Sequence, residues 1–184
     1  EYGGTVSTTV LTANVTDATA ALSAANAAAT AVTGGAAAIN AYNSAVAADT
    51  AAEAALTANV AAAAAAEAGL NTSITLTSAV NYATLSAAAG AEFTAAEDVT
   101  AFLADPASDT AARAELVTEL NKVPTYGAEV VKAGDLGLAA ANAAETLDTA
   151  TSALVAIDNT STTDVVEGQN YIDAQAGLQG ATTT

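Results

Sequence analysis

The chain has 184 residues and a net charge of −17, with 20 acidic side chains, three basic side chains, 56 Ala and 28 Thr. It contains no Cys and no His, which excludes disulfides, zinc fingers and Cys/His nucleophile–base pairs. The acidic excess excludes a basic nucleic-acid interface. No apolar run reaches the ~18–20 residues that span a bilayer, so no transmembrane segment is predicted.

Ala takes the place of larger aliphatic residues, and the mean hydropathy is positive at +0.37. Disordered chains are rich in Pro, Lys, Glu and Ser, whereas this chain has two Pro. Ala is the strongest helix former and buries little area, so we expect helices that approach one another closely around thin cores.

Residues 5–70 predict a helical hairpin. In its first helix, apolar and small residues recur at alternating spacings of four and three, which is typical of a heptad seam. The seam consists of Leu11, Val15, Ala18, Leu22, Ala25, Ala29 and Val32. Gly34 and Gly35 end this helix. A second helix is expected over 36–68, with a stripe that Asp49 and Glu53 interrupt. The stripe consists of Ile39, Tyr42, Val46, Leu56, Val60 and Ala63.

Two Thr-rich stretches are the places where helix formation is weakest. Residues 5–10 and 72–77 alternate apolar side chains with Thr or Ser, which is typical of strands. A strand there could add to the edge of a neighbour's sheet. A short helix is expected next, over 78–89, and Gly90 ends it.

Residues 92–123 predict an insert of shorter helices. Thr94 and Glu97 have the spacing of a capping box, with Thr94 as the N-cap of the first helix. Ser108 or Asp109 caps the second helix. Within that helix, Asp109 and Arg113 have the i,i+4 spacing of an ion pair.

Residues 128–178 predict a long helix followed by a terminal helix. The heptad returns in the long helix, as Leu136, Ala140, Ala143, Leu147, Ala150, Leu154 and Ile157. Gly134 and Gly137 weaken its first turns by about 1 kcal/mol each. The terminal helix is expected over 164–178. Together these elements predict an all-α fold over 1–184, a single domain built as an elongated bundle of long Ala-rich helices with the short-helix insert.

Acidic residues are the candidates for catalysis, because no His is present. Asp49 with Glu53, and Glu115 with Glu119, each share a helix face. Neither pair is flanked by an aromatic pocket, and we interpret both as solvated acidic surface. No glycine-rich phosphate loop or serine elbow occurs. We therefore expect no enzymatic activity.

Calcium is the one cofactor that the sequence leaves open, and no other is expected. Hard oxygen ligands are dense in one turn, at Asp158, Asn159, Ser161, Asp164 and Glu167. The spacing is not that of an EF-hand, so a helix-to-helix turn is the alternative. Asp105 with Asp109 is a weaker candidate of the same kind.

The larger residues of the two heptads form a candidate self-assembly seam, because an incompletely covered apolar stripe finds a partner. The seam comprises Leu11, Val15, Leu22, Val32, Leu136, Leu147, Leu154 and Ile157. The alternative is that the same residues pack within one bundle. We expect a homo-oligomer or polymer.

Three stretches carry a resemblance to a known class of proteins: Phe93 to Val99, Leu120–Asn121, and Tyr126 to Ala128. With the Ala/Thr-rich acidic composition, they resemble helical regions of bacterial surface-layer and adhesin proteins exported by type I secretion. The resemblance implies an extracellular location on the bacterial cell surface, calcium in the lattice and contact with cell-surface polysaccharide. The glycine–aspartate calcium repeats of those proteins are missing here.

We therefore predict an extracellular structural protein, a subunit of a self-assembling surface filament or surface layer. The alternative is a monomeric helical binding or spacer module of a large secreted adhesin. A ligand pocket lined by Phe93, Phe102, Leu116 and Tyr126 would favour that alternative.

Overall fold

The computed structural model describes residues 8–69, 81–123, 126–159 and 166–183. Over these ranges the chain forms helices and no strand, which confirms the all-α prediction. The helices are α1 (Thr8–Ala31), α2 (Gly35–Gly69), α3 (Tyr82–Ala89), α4 (Ala96–Ala104), α5 (Thr110–Leu120), α6 (Tyr126–Val155) and α7 (Glu167–Thr183). Residues 8–10 begin α1, which excludes there the strand that the sequence left open at 5–10 as an alternative to helix, while 72–77 lies outside the described residues.

Glycine ends two helices where the sequence predicts it. Gly34 follows α1 with a φ of 86°, and Gly90 caps α3 with a φ of 61°. Both angles lie in the left-handed region that side chains with a Cβ disfavour. At the other end of α3, the side chain of Asn81 accepts a hydrogen bond from the N–H of Ala83 at 2.9 Å.

The predicted capping box of α4 is wrong by one residue. The N-cap is Ala95 rather than Thr94, and Asp98 rather than Glu97 carries the capping carboxylate. Asp98 Oδ2 accepts from the Thr94 N–H at 2.8 Å, the Thr94 hydroxyl at 2.9 Å and the Ala95 N–H at 3.0 Å. These hydrogen bonds, first of all that from the Thr94 backbone, lower the pKa of Asp98 below its ordinary value of 3.8.

Asp109 caps α5 as predicted, but it does not pair with Arg113. Its Oδ1 accepts from the N–H groups of Ala111 at 3.0 Å and Ala112 at 2.9 Å. The Arg113 guanidinium reaches α6 instead and donates to Asp135 Oδ1 at 3.0 Å.

The chain divides into two compact units: unit 1 comprises 1–45 and 147–184, and unit 2 comprises 46–146. The division does not follow the predicted segments 5–70, 92–123 and 128–178, because α2 and α6 each contribute residues to both units. The prediction that 1–184 folds as a single domain stays a prediction.

Unit 2 has a core of large side chains. Its buried cluster consists of Leu85, Ala89, Phe93, Val99, Leu103, Leu116, Leu120 and Val130. Helix α3 packs against α5, and the rings of Phe93 and Phe102 meet edge to face with centroids 5.6 Å apart. Each short helix thus contributes Leu, Val or Phe to one interior.

Gly134 and Gly137 have a role in unit 2 that the sequence does not reveal. A Cβ at Gly134 would overlap the side chain of Leu103, and one at Gly137 would lie 2.7 Å from Ala104 Cβ. The two glycines therefore let α6 approach α4 more closely than any other residue would permit. The two glycines lower the helix propensity of α6, and at the same positions they permit its close contact with α4.

Unit 1 is built on a helix pair and a smaller core. Helix α1 packs along α7, and the buried cluster consists of Ala29, Ile39, Leu154 and Tyr171. Polar side chains join α2 to α7: Asn43 Nδ2 donates to the Tyr171 hydroxyl at 2.9 Å, and Gln175 Nε2 donates to Asn43 Oδ1 at 3.2 Å.

Three corners between consecutive helices share one arrangement. At each corner, the carbonyl of a first residue near the helix end accepts a hydrogen bond from the N–H of a second residue, three positions later. The carbonyl of this second residue then accepts a hydrogen bond from the N–H of a Gly in the next helix. The triplets are Ala29–Val32–Gly35, Leu120–Val123–Gly127 and Leu154–Ile157–Gly168. A Cβ on any of these glycines would collide with the first carbonyl oxygen. Gly at these points thus lets successive helices meet backbone to backbone.

Candidate assembly surface

The heptad predicted in the first helix is the inward face of α1. Between positions 11 and 32, the seven seam residues are buried or half-buried, and all the other residues are exposed. Of the seven, Ala29 alone is fully buried, whereas Leu11, Val15, Leu22 and Val32 stay half-buried. Helix α7 therefore covers the seam only in part.

The predicted seam on α6 separates into two kinds of residue. Leu136 and Leu147 are half-buried, whereas Leu154 is 0% exposed and Ile157 packs against the same unit 1 cluster. The side chain of Leu154 is therefore enclosed by its own unit, and the assembly seam stays a prediction. Leu22 also packs against this cluster, which leaves Leu11 and Val15 farthest from it along α1.

A shallow groove runs between the beginning of α1 and the end of α7. Its described lining residues carry no charge; they are Leu11, Thr12, Val15, Thr16, Ala181 and Thr182. The two helices are antiparallel, because Leu11 meets Ala181 at this end while Ala29 joins the cluster of Tyr171 at the other. We call this feature the α1/α7 groove.

Exposed threonines use their hydroxyl donors within their own helices. Thr16 donates to the Thr12 carbonyl at 2.8 Å, Thr146 to that of Asn142 at 2.8 Å, and Thr182 to that of Gln179 at 2.8 Å. Thr19, Thr30 and Thr118 do the same. A neighbouring molecule can cover such side chains without leaving a hydroxyl donor unsatisfied, and it meets their methyl groups.

Charge is distributed unevenly along the chain. Residues 18–48, which include most of α1 and the first part of α2, contain no charged side chain. All three basic residues belong to unit 2, where Arg113 pairs with Asp135 and Lys122 with Glu119. The neutral stretch is limited to 18–48, because unit 1 as a whole carries seven acidic side chains, Asp17 in α1 among them, and no basic one.

The predicted stripe of α2 is wrong at its far end. Ile39 is buried, and Tyr42, Val46 and Leu56 are half-buried, but Val60 is 64% exposed. Asn59 is buried in its place at 3% exposure, and among the described residues neither of its amide atoms has a hydrogen-bond partner. This buried polar side chain conflicts with the apolar pattern, which is why the sequence does not predict it.

The two carboxylate pairs lie at the surface. Asp49 is half-buried beside the exposed Glu53. Glu115 and Glu119 line an open depression with Thr84 and Thr118, and Glu119 is the ion-pair partner of Lys122. Neither arrangement encloses a substrate.

The candidate calcium turn is described only in part, because Ser161 and Asp164 lie outside the described residues. Asp158 and Asn159 are exposed, and Glu167, at 4% exposure, accepts from the Asn159 N–H at 2.7 Å. Across the described part of the chain, no three acidic side chains are grouped so as to hold a metal ion. Asp105 Oδ1 accepts from the Ala107 N–H at 2.8 Å, so this carboxylate and that of Asp109 both serve local turns.

The described residues of the proposed aromatic ligand pocket pack against one another and leave no pocket between them. Phe93 and Leu116 are core residues of unit 2, and Phe102 packs against them. The side chain of Tyr126 is not among those that the structure describes. These residues fill an interior rather than line an opening.

None of the helices in the described ranges combines the length and apolarity that a membrane crossing requires. Comparisons with protein-family models, with curated proteins and with solved structures found no match.

Proposed function

We propose that the chain is a non-enzymatic structural protein, a subunit of a self-assembling filament or layer on a bacterial cell surface. One observation carries the proposal: α1 has a half-covered heptad seam and a single charged side chain, Asp17, and its exposed Thr16 and Thr19 have satisfied hydroxyls. Such a surface offers a neighbouring molecule mainly methyl and other apolar groups, although many of its residues are threonines.

Small side chains favour this kind of contact. Ala and Thr faces let helices pack near the short end of the usual 8–10 Å spacing, so that many weak dispersion contacts add up. The proposed elongated bundle would repeat such faces along its length. A net charge of −17 opposes random association and makes ordered association dependent on salt.

The location and the partners follow from the resemblance to type I-secreted surface-layer and adhesin proteins. We propose that the protein acts outside the cell, with cell-surface polysaccharide as a further partner. Calcium at 158–167 is a second proposal, since Glu167 and Asp158 could contribute ligands from either end of that turn.

The experiment is sedimentation velocity combined with electron microscopy, across protein concentration and from low to high NaCl, with CaCl2 and MgCl2 arms. We expect oligomers or ordered polymers that grow with salt, because screening removes repulsion between acidic copies. A response to CaCl2 that MgCl2 does not reproduce would support calcium. A monomer under every condition would contradict assembly.

The alternative is a monomeric binding or spacer module of a large secreted adhesin. One observation favours it: Leu154 and Ile157, which belong to the second heptad, pack inside unit 1. A spacer module buries its apolar residues within its own units rather than against other copies. A strictly monomeric particle in the same experiment would therefore favour this function.

A further inference from the structure

We draw no further inference here: the strongest candidate, the exposed flank of α1 on which the uncharged side chains of Thr12, Thr16, Thr19, Ser23, Asn26 and Thr30 recur at spacings of four and three, is a helix face for which nothing in the structure shows what covers it.

Discussion

The two units stabilise helices in different ways. Among the described residues, unit 2 gathers Leu, Val and Phe, with Ala89, into a cluster of eight buried residues, whereas the cluster of unit 1 has four: Ala29, Ile39, Leu154 and Tyr171. Five of the six largest fully buried side chains belong to unit 2, and Leu154 is the sixth.

This difference shows where the chain keeps its large side chains. In unit 2 they lie inside. In unit 1 the inward face of α1 combines Ala with Leu and Val, and Leu11 and Val15 remain half-buried beside an uncharged groove. A thin core leaves apolar area at the surface, so the unit with the smaller interior is the better candidate for contact with another copy.

The same truncation in each core measures the comparison directly. Leu103→Ala should reduce the free energy of unfolding by about 2–5 kcal/mol, because it opens a cavity among large neighbours. Leu154→Ala is the matched variant, since both leucines are 0% exposed. We expect a smaller loss there, because more of the surrounding side chains are small or partly exposed. Chemical denaturation of both variants checks this, and equal losses would contradict a thinner core in unit 1.

Glycine substitutions separate close packing from helix propensity. Gly134→Ala should destabilise the protein by about 1–3 kcal/mol, because the new Cβ would overlap Leu103. Gly177→Ala should stabilise it by up to about 1 kcal/mol, since among the described residues nothing lies within 4 Å of a Cβ there and Ala favours the helix. Thermal unfolding compares the two variants. Stabilisation by both would show that α4 does not constrain α6.

Local sequence signals predict features of both units. In unit 1, the α1 seam follows from a repeat of four and three, and the end of α1 follows from Gly34; in unit 2, the end of α3 follows from Gly90. These features depend on residues close together in sequence. The sequence thus predicts which face of α1 turns inward, while assembly through Leu11 and Val15 stays a prediction.

The features that the sequence misses depend on distant residues. From the sequence, Gly134 only weakens the helix; its close contact with Leu103 is visible only in the fold. Arg113 pairs with Asp135, 22 residues away, while Asp109 caps α5. The exchange of Asp98 for Glu97 follows from a one-residue shift in where α4 begins. None of these partners can be chosen from spacing alone.

Asn59 tests whether a buried polar side chain weakens unit 2. Asn59→Leu should raise the free energy of unfolding by about 1 kcal/mol, because it removes two buried amide atoms that have no hydrogen-bond partner. Val60→Leu, at a side chain that is 64% exposed, is the control and should change stability little. A clear loss of stability on Asn59→Leu, measured by thermal unfolding, would mean that the amide is favourable where it lies.

The smallest expected effect is the pH dependence that Asp98 gives to unit 2. Its pKa is lowered in the folded state by hydrogen bonds from Thr94 and Ala95, so the folded protein holds the ionised form more strongly than the unfolded chain does. The resulting stability is complete above the ordinary pKa of 3.8 and is lost as the pH falls through the lower, folded value. Asp98→Ala should therefore melt below wild type near neutral pH, and the two melting temperatures should converge in acid. A difference that persists unchanged at the lowest pH would show that the carboxylate charge contributes nothing to the α4 cap.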